Sequence, residues 1–350
     1  KPTQQSVGKL REIGIQPHVL ICRTEIPMEP DMAKKISLFC NVRPEAVIEE
    51  RDVAFSIYEV PLMLIESGLD QRILNHLQLV PRQKVDTSDW QRLLQIVKHP
   101  EHTVEIAVAG KYIELHDAYK SIYESLNHAG IKNHCKVVLR KVSAEQVANE
   151  GPDRLLAGVD GILVPGGFGE RGFEGKIASI RYARKQRIPF FGICYGMQAA
   201  VVEFARSDLG ITDATTTEYD PNANNPVIAL MEEQKRINDK GGTMRLGAFD
   251  CALKPGTKSH QAYGAAMISE RHRHRFELNN AYRHRLEQAG LVMAGTNPKL
   301  DLVEIVELPD HPWFVGVQYH PEFKTQPLQP HPLFRDFIAA AVARKTKAKK

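Results

Sequence analysis

The chain has 350 residues, 43% hydrophobic and 25% charged, with a formal net charge of +4, so it has the length for two globular domains and the composition of neither a disordered nor a fibrous protein. No apolar run reaches the roughly 18 residues of a membrane span and the start does not resemble a signal peptide, so neither membrane insertion nor secretion is expected. Five cysteines, an odd number with no Cys-x-x-Cys pair, argue for a reducing, cytoplasmic setting rather than a disulfide framework.

Residues 1–80 alternate helix-like and strand-like pieces. Val7, Leu10 and Ile13 mark a helix, His18 to Cys22 a short strand, and Met32 to Phe39 a second helix. Leu62 to Leu79 reads as an amphipathic helix interrupted at Gly68. Such a stretch is short for a doubly wound sheet, and the opening Lys1-Pro2-Thr3-Gln4 reads as a chain cut inside a domain. Residues 81–102 are polar, hold one helical segment around Trp90 to Val97, and are expected to be an interdomain linker.

From Thr103 a regular α/β series begins. Val104, Ile106 and Val108 alternate as a strand, and Asp117 is expected to cap a helix carrying Ala118, Ile122 and Leu126. Val137 to Val142 is the next strand, followed by the capping pattern Ser143-x-x-Gln146. Gly161 to Val164 runs into the turn Pro165-Gly166-Gly167-Phe168-Gly169, and a helix through Ile177 and Ile180 follows. The order predicts an α/β fold: a doubly wound, mostly parallel sheet with helices on both faces, spanning 103–344. The rhythm is lost over 208–240 and strand-like pieces return from 244. A last helix covers His331 to Arg344, and residues 345–350 are expected to be a basic, disordered tail. A solvated tail gives no reason to expect nucleic acid as a partner.

The chemistry centres on Phe190-Phe191-Gly192-Ile193-Cys194-Tyr195-Gly196-Met197-Gln198. A buried strand stops at a cysteine and resumes as a helix, with Met197, Ala200, Val201 and Phe204 at helical spacing. Gly-x-Cys-x-Gly at such a junction is the thiol form of a nucleophile elbow, and the helix N-terminus favours a reactive thiolate. Tyr319-His320-Pro321-Glu322 offers a base at another strand end, and Glu322 is close enough in sequence to orient the imidazole of His320. The N–H groups of Gly167 and Tyr195 are candidates for an oxyanion hole. Residues 167–172 also match Gly-x-Gly-x-x-Gly, but the following strand ends in Cys194 rather than in the acidic residue a dinucleotide site requires. His272 and His274 share a strand face without an evident third ligand, so a zinc site is disfavoured and a polar strand lining the pocket is preferred. Cys22, Cys40, Cys135 and Cys251 read as inert buried thiols.

The Pro165–Gly169, Gly192–Gln198 and Tyr319–Phe323 stretches resemble the three motifs of class I, triad-type glutamine amidotransferases. Further stretches narrow the resemblance to the CTP synthase family: Gly110 to Leu115, Asp117 to Ser121, Gly241 to Gly247, Glu270 to Glu277 and His311 to Phe314. Residues 1–80 resemble the end of that family's synthetase (amidoligase) domain. The resemblance implies a Cys194–His320–Glu322 triad that hydrolyses L-glutamine through a thioester. The ammonia would aminate ATP-activated UTP to CTP. It further implies that Gly167, Tyr195, Gly196, Met197, Gln198, Glu218 and Arg275 contact glutamine. Lys1, Pro2, Thr3, Gln4 and Lys35 would face UTP, or CTP as feedback inhibitor, and Arg51, Asp52 and Val53 would face ATP. GTP is implied as allosteric activator, with Arg171 a candidate contact, and a homotetramer as the assembly. The Gly-x-x-x-x-Gly-Lys-Ser/Thr phosphate loop and the acidic Mg2+ ligands are absent from this chain, in which no metal site is expected. Two rivals remain: a stand-alone γ-glutamyl hydrolase, and a module that serves mainly in assembly or regulation.

Overall fold

A computed structural model describes residues 1–230 and 244–348. It divides into two compact units, Lys1–Lys98 and His99–Lys350. In the first, helix α1 (Pro2–Glu12), strand β1 (Leu20–Thr24), α2 (Pro30–Cys40) and β2 (Val47–Arg51) alternate; α3 (Val60–Glu66), α4 (Leu69–His76) and α5 (Ser88–Lys98) follow. β1 and β2 pair in parallel with Leu20 opposite Val47. Gly68 divides α3 from α4 because the chain there adopts φ +75°, which a side chain disfavours. The 81–102 segment differs from the linker expected. Helix α5 belongs to the first unit, burying Leu93 and Leu94 and donating Trp90 Nε1 to the Tyr58 carbonyl, while Lys98 pairs with Glu59.

The second unit is built on a main sheet of nine strands among the described residues. In chain order its elements are β3 (His102–Gly110), α6 (Lys120–Lys132), β4 (Cys135–Ser143), α7 (Ala144–Glu150), α8 (Pro152–Leu156), β5 (Gly161–Val164), α9 (Phe173–Lys185), β6 (Phe190–Ile193), α10 (Tyr195–Asp208), β7 (Ala214–Thr216), β8 (Asn225–Leu230), β9 (Arg245–Leu253), α11 (Lys258–Tyr263), β10 (Met267–His274), β11 (Phe276–Leu278), α12 (Asn280–Gln288), β12 (Val292–Thr296), β13 (Val303–Glu307), β14 (Phe314–Val317) and α13 (Pro332–Ala348). The main sheet has the order β10-β9-β12-β13-β14-β6-β5-β3-β4. From β14 to β4 every pairing is parallel; from β14 outward to β10 every pairing is antiparallel. The fold is therefore α/β with a mixed sheet. Its parallel half needs helical crossovers, whereas its antiparallel half returns through shorter connections.

The strand sequences explain why both faces are covered. Phe190, Ile162 and Ala107 pack under α9 and α10 with Phe173, Ile177 and Ile180. Their sequence neighbours Phe191, Leu163 and Ile106 pack on the other face with Leu126 of α6 and Phe334, Phe337 and Ile338 of α13. Period-two alternation sends successive apolar side chains to opposite faces, so a continuous apolar run is what a doubly covered strand requires.

Several expectations change. Asp117 does not cap a helix; it lies in a 3₁₀ turn, and α6 begins at Lys120 with no side-chain cap. Ser143 does cap α7, accepting the Gln146 N–H. The irregular 208–240 stretch contains β7 and β8, which join β11 in a small sheet of order β11-β8-β7, while Asp220 to Asn224 remains loop. The basic tail is helical through Ala348, with Lys345 Nζ 3.0 Å from Asp160; Lys349 and Lys350 lie outside the described residues, as do Gly241 to Thr243 of one motif.

Close packing of α9 on the start of α7 generates a test. A Cβ on Gly175 would sit 1.6 Å from the Ala144 carbonyl oxygen, whereas one on Gly8 in α1 would meet nothing within 4 Å. Gly175→Ala is expected to destabilise the second unit by about 3 kcal/mol or more, because backbone must move. Gly8→Ala is expected to stabilise the first unit by about 0.5–1 kcal/mol. Denaturant melts of the two variants check both signs.

Candidate active site

Three parallel strand ends meet at one edge of the sheet. Gly192 of β6 lies opposite both Val164 of β5 and Gly316 of β14, and Ile193 lies opposite Val317. Each strand then delivers a different group: β5 the Gly166–Gly167 turn, β6 the Cys194 thiol, β14 the Tyr319–Glu322 turn. The carboxyl edge of a parallel sheet collects side chains that are far apart in sequence.

Cys194 occupies φ 50°, ψ −104°, outside the regions that side-chain-bearing residues favour, and is the residue that opens α10. Its N–H donates to the Val317 carbonyl at 2.7 Å, fastening the turn to β14. The glycines around it permit close approach. A Cβ at Gly196 would lie 2.1 Å from the Val164 carbonyl oxygen, and one at Gly166 would lie 3.2 Å from His320 Cε1 and 3.7 Å from Cys194 Cβ. The thiol is buried, at 5% exposure, yet it lines a cavity of ≈ 600 Å³ together with Gly166, Gly167, Gln198, Glu218, Arg275, His320 and Glu322.

His320 hydrogen-bonds to Cys194 on one side and places Nδ1 2.8 Å from Glu322 Oε1 on the other. Burial alone pushes its imidazole down. The hydrogen bond and charge of Cys194, joined by those of Glu322, outweigh burial and carry the imidazole up to about 10. The arrangement is a thiol and imidazole pair backed by a carboxylate, the geometry of an activated nucleophile. The first N–H groups of α10, at Tyr195 and Gly196, have no intrahelical acceptor and face the same edge.

The other sequence-predicted residues divide into groups. Glu218, after β7, accepts the Gly169 N–H at 2.7 Å, and Tyr195 Oη donates to the Gly169 carbonyl at 2.6 Å; together they pin the glycine turn. Burial raises the Glu218 carboxyl, against the opposing pull of the Gly169 N–H, Lys176, Arg275 and Lys111. Arg275 lies between β10 and β11 on the cavity wall. Gly196 and Met197 are buried in α10 behind the cysteine; Met197 packs into the apolar core. Arg171 pairs with Glu145 at 2.9 Å, its guanidinium lying over the Tyr112 ring. In the first unit, Lys1 precedes α1, which contains Pro2, Thr3 and Gln4. Lys35 is an exposed residue of α2. Arg51 ends β2 beside Asp52, which pairs with Arg23 at 2.7 Å, and the half-buried Val53.

Along β10 the basic residues alternate: Arg271 and Arg273 are exposed while His272 and His274 are buried, with Arg273, His274 and Arg275 at the cavity. His272 Nδ1 and His274 Nε2 lie 2.9 Å apart. Among the described residues no three His, Cys, Asp or Glu side chains are grouped to hold a metal ion. Of the remaining cysteines, Cys40, Cys135 and Cys251 are buried, and burial pushes the thiol of Cys135 up to about 11; Cys22 is only half-buried, a departure from the buried thiol expected. No described helix is long and apolar enough to cross a membrane.

Two residues at the site were not singled out in the sequence. Gln318 precedes His320 by two positions, and its amide reaches Cys194; a polar residue extending an otherwise apolar strand was the available signal. Lys176 of α9 is 1% exposed, with Nζ 4.5 Å from the Tyr195 ring centroid, and burial pushes it down to about 7. Nothing in the local sequence distinguishes it from a surface lysine.

The class-I glutamine amidotransferase family model matches residues 114–340, and the CTP synthase N-terminus model matches residues 1–79. A CTP synthase from Symbiobacterium thermophilum is 55% identical over 346 residues, covering 98% of this chain and 64% of that protein. One from Caldanaerobacter subterraneus is 54% identical over 340 residues, covering 97% of this chain and 63% of that protein. The chain thus spans less than two thirds of the length of these curated relatives. Among solved structures, the glutaminase domain of Trypanosoma brucei CTPS with bound acivicin superposes with a TM-score of 0.64 at 36% identity, covering 69% of this chain and 94% of that one.

The electrostatics of the dyad can be measured directly. In Cys194→Ala the thiolate that raises His320 is gone, while burial and Glu322 remain, so the imidazole is expected to titrate at lower pH than in the unaltered chain. Histidine NMR titration reads the difference; identical titration in the two proteins would remove the ion pair.

Proposed function

This chain belongs to the class-I glutamine amidotransferase family, and we propose that it carries the glutaminase half of a CTP synthase, releasing ammonia from L-glutamine. One observation carries the reading: an activated Cys194–His320–Glu322 constellation opens on a cavity whose wall presents a carboxylate, Glu218, and a guanidinium, Arg275. A free amino acid offers the complementary pair of charges, an α-ammonium and an α-carboxylate. A pocket bearing both selects free glutamine over glutamine within a peptide.

In the proposed sequence the Cys194 thiolate attacks the side-chain amide carbon of glutamine. Negative charge develops on the amide oxygen, where the N–H groups of Tyr195 and Gly167 are the donors. The tetrahedral species collapses as the imidazolium of His320 gives its proton to the departing nitrogen, so ammonia leaves and a glutamyl thioester remains. Neutral His320 then takes a proton from water as its oxygen attacks the thioester, and expulsion of the thiolate yields glutamate. Glu322 holds the imidazole orientation and stabilises its charged form throughout. The net reaction is glutamine plus water to glutamate plus ammonia.

We assign the ammonia to amination of UTP to CTP, a reaction that requires ATP and Mg2+. Lys1 to Gln4 and Lys35 are this chain's proposed share of the UTP/CTP site, and Arg51 to Val53 its share of the ATP site. Their exposed basic side chains suit phosphate groups. GTP activation, with Arg171 as a contact, and a homotetramer belong to the same proposal.

Cys194→Ala is expected to abolish glutamate release from glutamine, measured by a coupled dehydrogenase assay; turnover persisting in that variant would refute the assignment. Glu218→Gln is expected to raise KM for glutamine about 10–100-fold while kcat falls less, because a charge-assisted contact to the ammonium is lost. The raised Glu218 carboxyl adds a pH signature: as pH falls through its titration the carboxylate is lost, so KM should climb at pH values above those of an ordinary glutamate. Comparable turnover of γ-glutamyl peptides and free glutamine would instead favour a γ-glutamyl hydrolase.

A further inference from the structure

A chain of side-chain amides lies behind the nucleophile. The Phe276 carbonyl oxygen can only accept, and Gln198 Nε2 lies 2.9 Å from it, which fixes Gln198 with its NH2 toward that carbonyl. The second hydrogen of the same NH2 meets Gln318 Oε1 at 3.2 Å. Gln318 is thereby oriented in turn: its oxygen is held by Gln198, so its own NH2 faces the other way, 3.7 Å from Cys194 Sγ. The amide orientations, ambiguous for an isolated glutamine, follow from one backbone carbonyl. The backbone of Gln318 is fixed as well, because its N–H donates to the Glu304 carbonyl at 2.8 Å and the residue is fully buried.

We propose that Gln318 is a thiolate-stabilising residue, donating a side-chain N–H to Cys194 Sγ and held in that orientation by Gln198. A neutral thiol is a poor acceptor and a thiolate a good one, so a fixed, buried amide donor lowers the energy of the anion far more than that of the thiol. The donor serves whenever sulfur bears charge: in the resting pair, and when the thioester releases it. The charged groups around the sulfur are His320 after β14 and Lys176 from α9, with Glu322 acting through His320. None of these supplies a neutral, permanently oriented donor. Gln198 gains a second role beyond the glutamine contact implied by its motif. This inference rests on the reading of Cys194 as the nucleophile.

The test measures the rate of Cys194 alkylation by iodoacetamide against pH in the full chain, with the modified residue identified by mass spectrometry. Gln318→Met fills the space without a donor. Gln318→Glu keeps the oxygen that Gln198 requires and replaces the donor by a second oxygen. The pH of half-maximal alkylation is expected to rise by about one unit in the Met variant, a tenfold loss of thiolate below the midpoint, and further in the Glu variant. Glutamate release at neutral pH should fall in parallel with KM little changed. Variants that melt like the unaltered protein and keep its alkylation profile would overturn the proposal. Should neither variant fold, the unaltered chain still decides. The Gln318 side-chain amide NMR signal must shift with Cys194 ionisation and cease to do so in Cys194→Ala; an insensitive signal overturns the inference. If Cys194 of the unaltered chain alkylates no faster than the buried cysteines, the nucleophile reading itself fails, a result separable from failure of the amide relay.

Discussion

The turn at Cys194 constrains everything around it. A chain leaving a central parallel strand must reverse direction within one residue and begin a helix, and it does so at φ 50°. A conformation of that kind carries about 1–3 kcal/mol of strain and persists only where neighbours overdetermine it. Here the neighbours are β5, β14 and α10. Gly196 allows α10 to rest on the Val164 carbonyl, Gly192 allows β6 to pass beneath Gly196, and the Cys194 N–H is tied to Val317. Moving any of these elements would release the turn and withdraw the sulfur from His320.

The electrostatic design follows from the same geometry. Behind the sheet edge, buried charges are held in pairs. Arg245 is buried between Glu277 and Glu304, at 3.0 and 2.8 Å, while burial pushes Glu277 up to about 8 and His272 down to about 3. On the inner face of β10 burial thus favours neutral imidazoles at His272 and His274, while the buried Glu270 carboxylate is held by Lys324 and His331. The arginines of β10 and its extension alternate with His272 and His274: Arg271 and Arg273 are exposed, and Arg275 reaches the cavity wall. A sheet's period of two separates buried histidines from exposed arginines along β10.

How much of this was legible beforehand varies residue by residue. The elbow, the histidine and the glutamate could be read because each motif pairs a reactive side chain with a local conformational requirement: glycines flanking a strand-to-helix turn, or a proline after a strand end. The parallel half of the sheet was legible from alternating apolar runs and helices. The antiparallel half was not, since an isolated apolar run does not encode the direction of its partner. Strand β7 is only three residues long, and the apolar run 227–230 of β8 follows directly on the loop-like Asp220 to Asn224, which hid both strands. Residues 81–102 look like a linker in composition, yet Leu93 and Leu94 find a surface to cover.

By itself the sequence determined the local conformations and the chemical identity of the reactive groups, because glycine, proline, cysteine and histidine act through backbone freedom and intrinsic reactivity that neighbours in the chain already express. Only the tertiary structure decided which groups share a site and in what charge state. The imidazole of His320 is pushed up to about 10 because the thiol it meets comes from another strand, and burial pushes Lys176 down to about 7. Gln318 points its N–H at sulfur because a carbonyl at Phe276 fixes Gln198 first. Electrostatic and hydrogen-bond energies depend on distance and desolvation in three dimensions, and the linear order of residues carries neither.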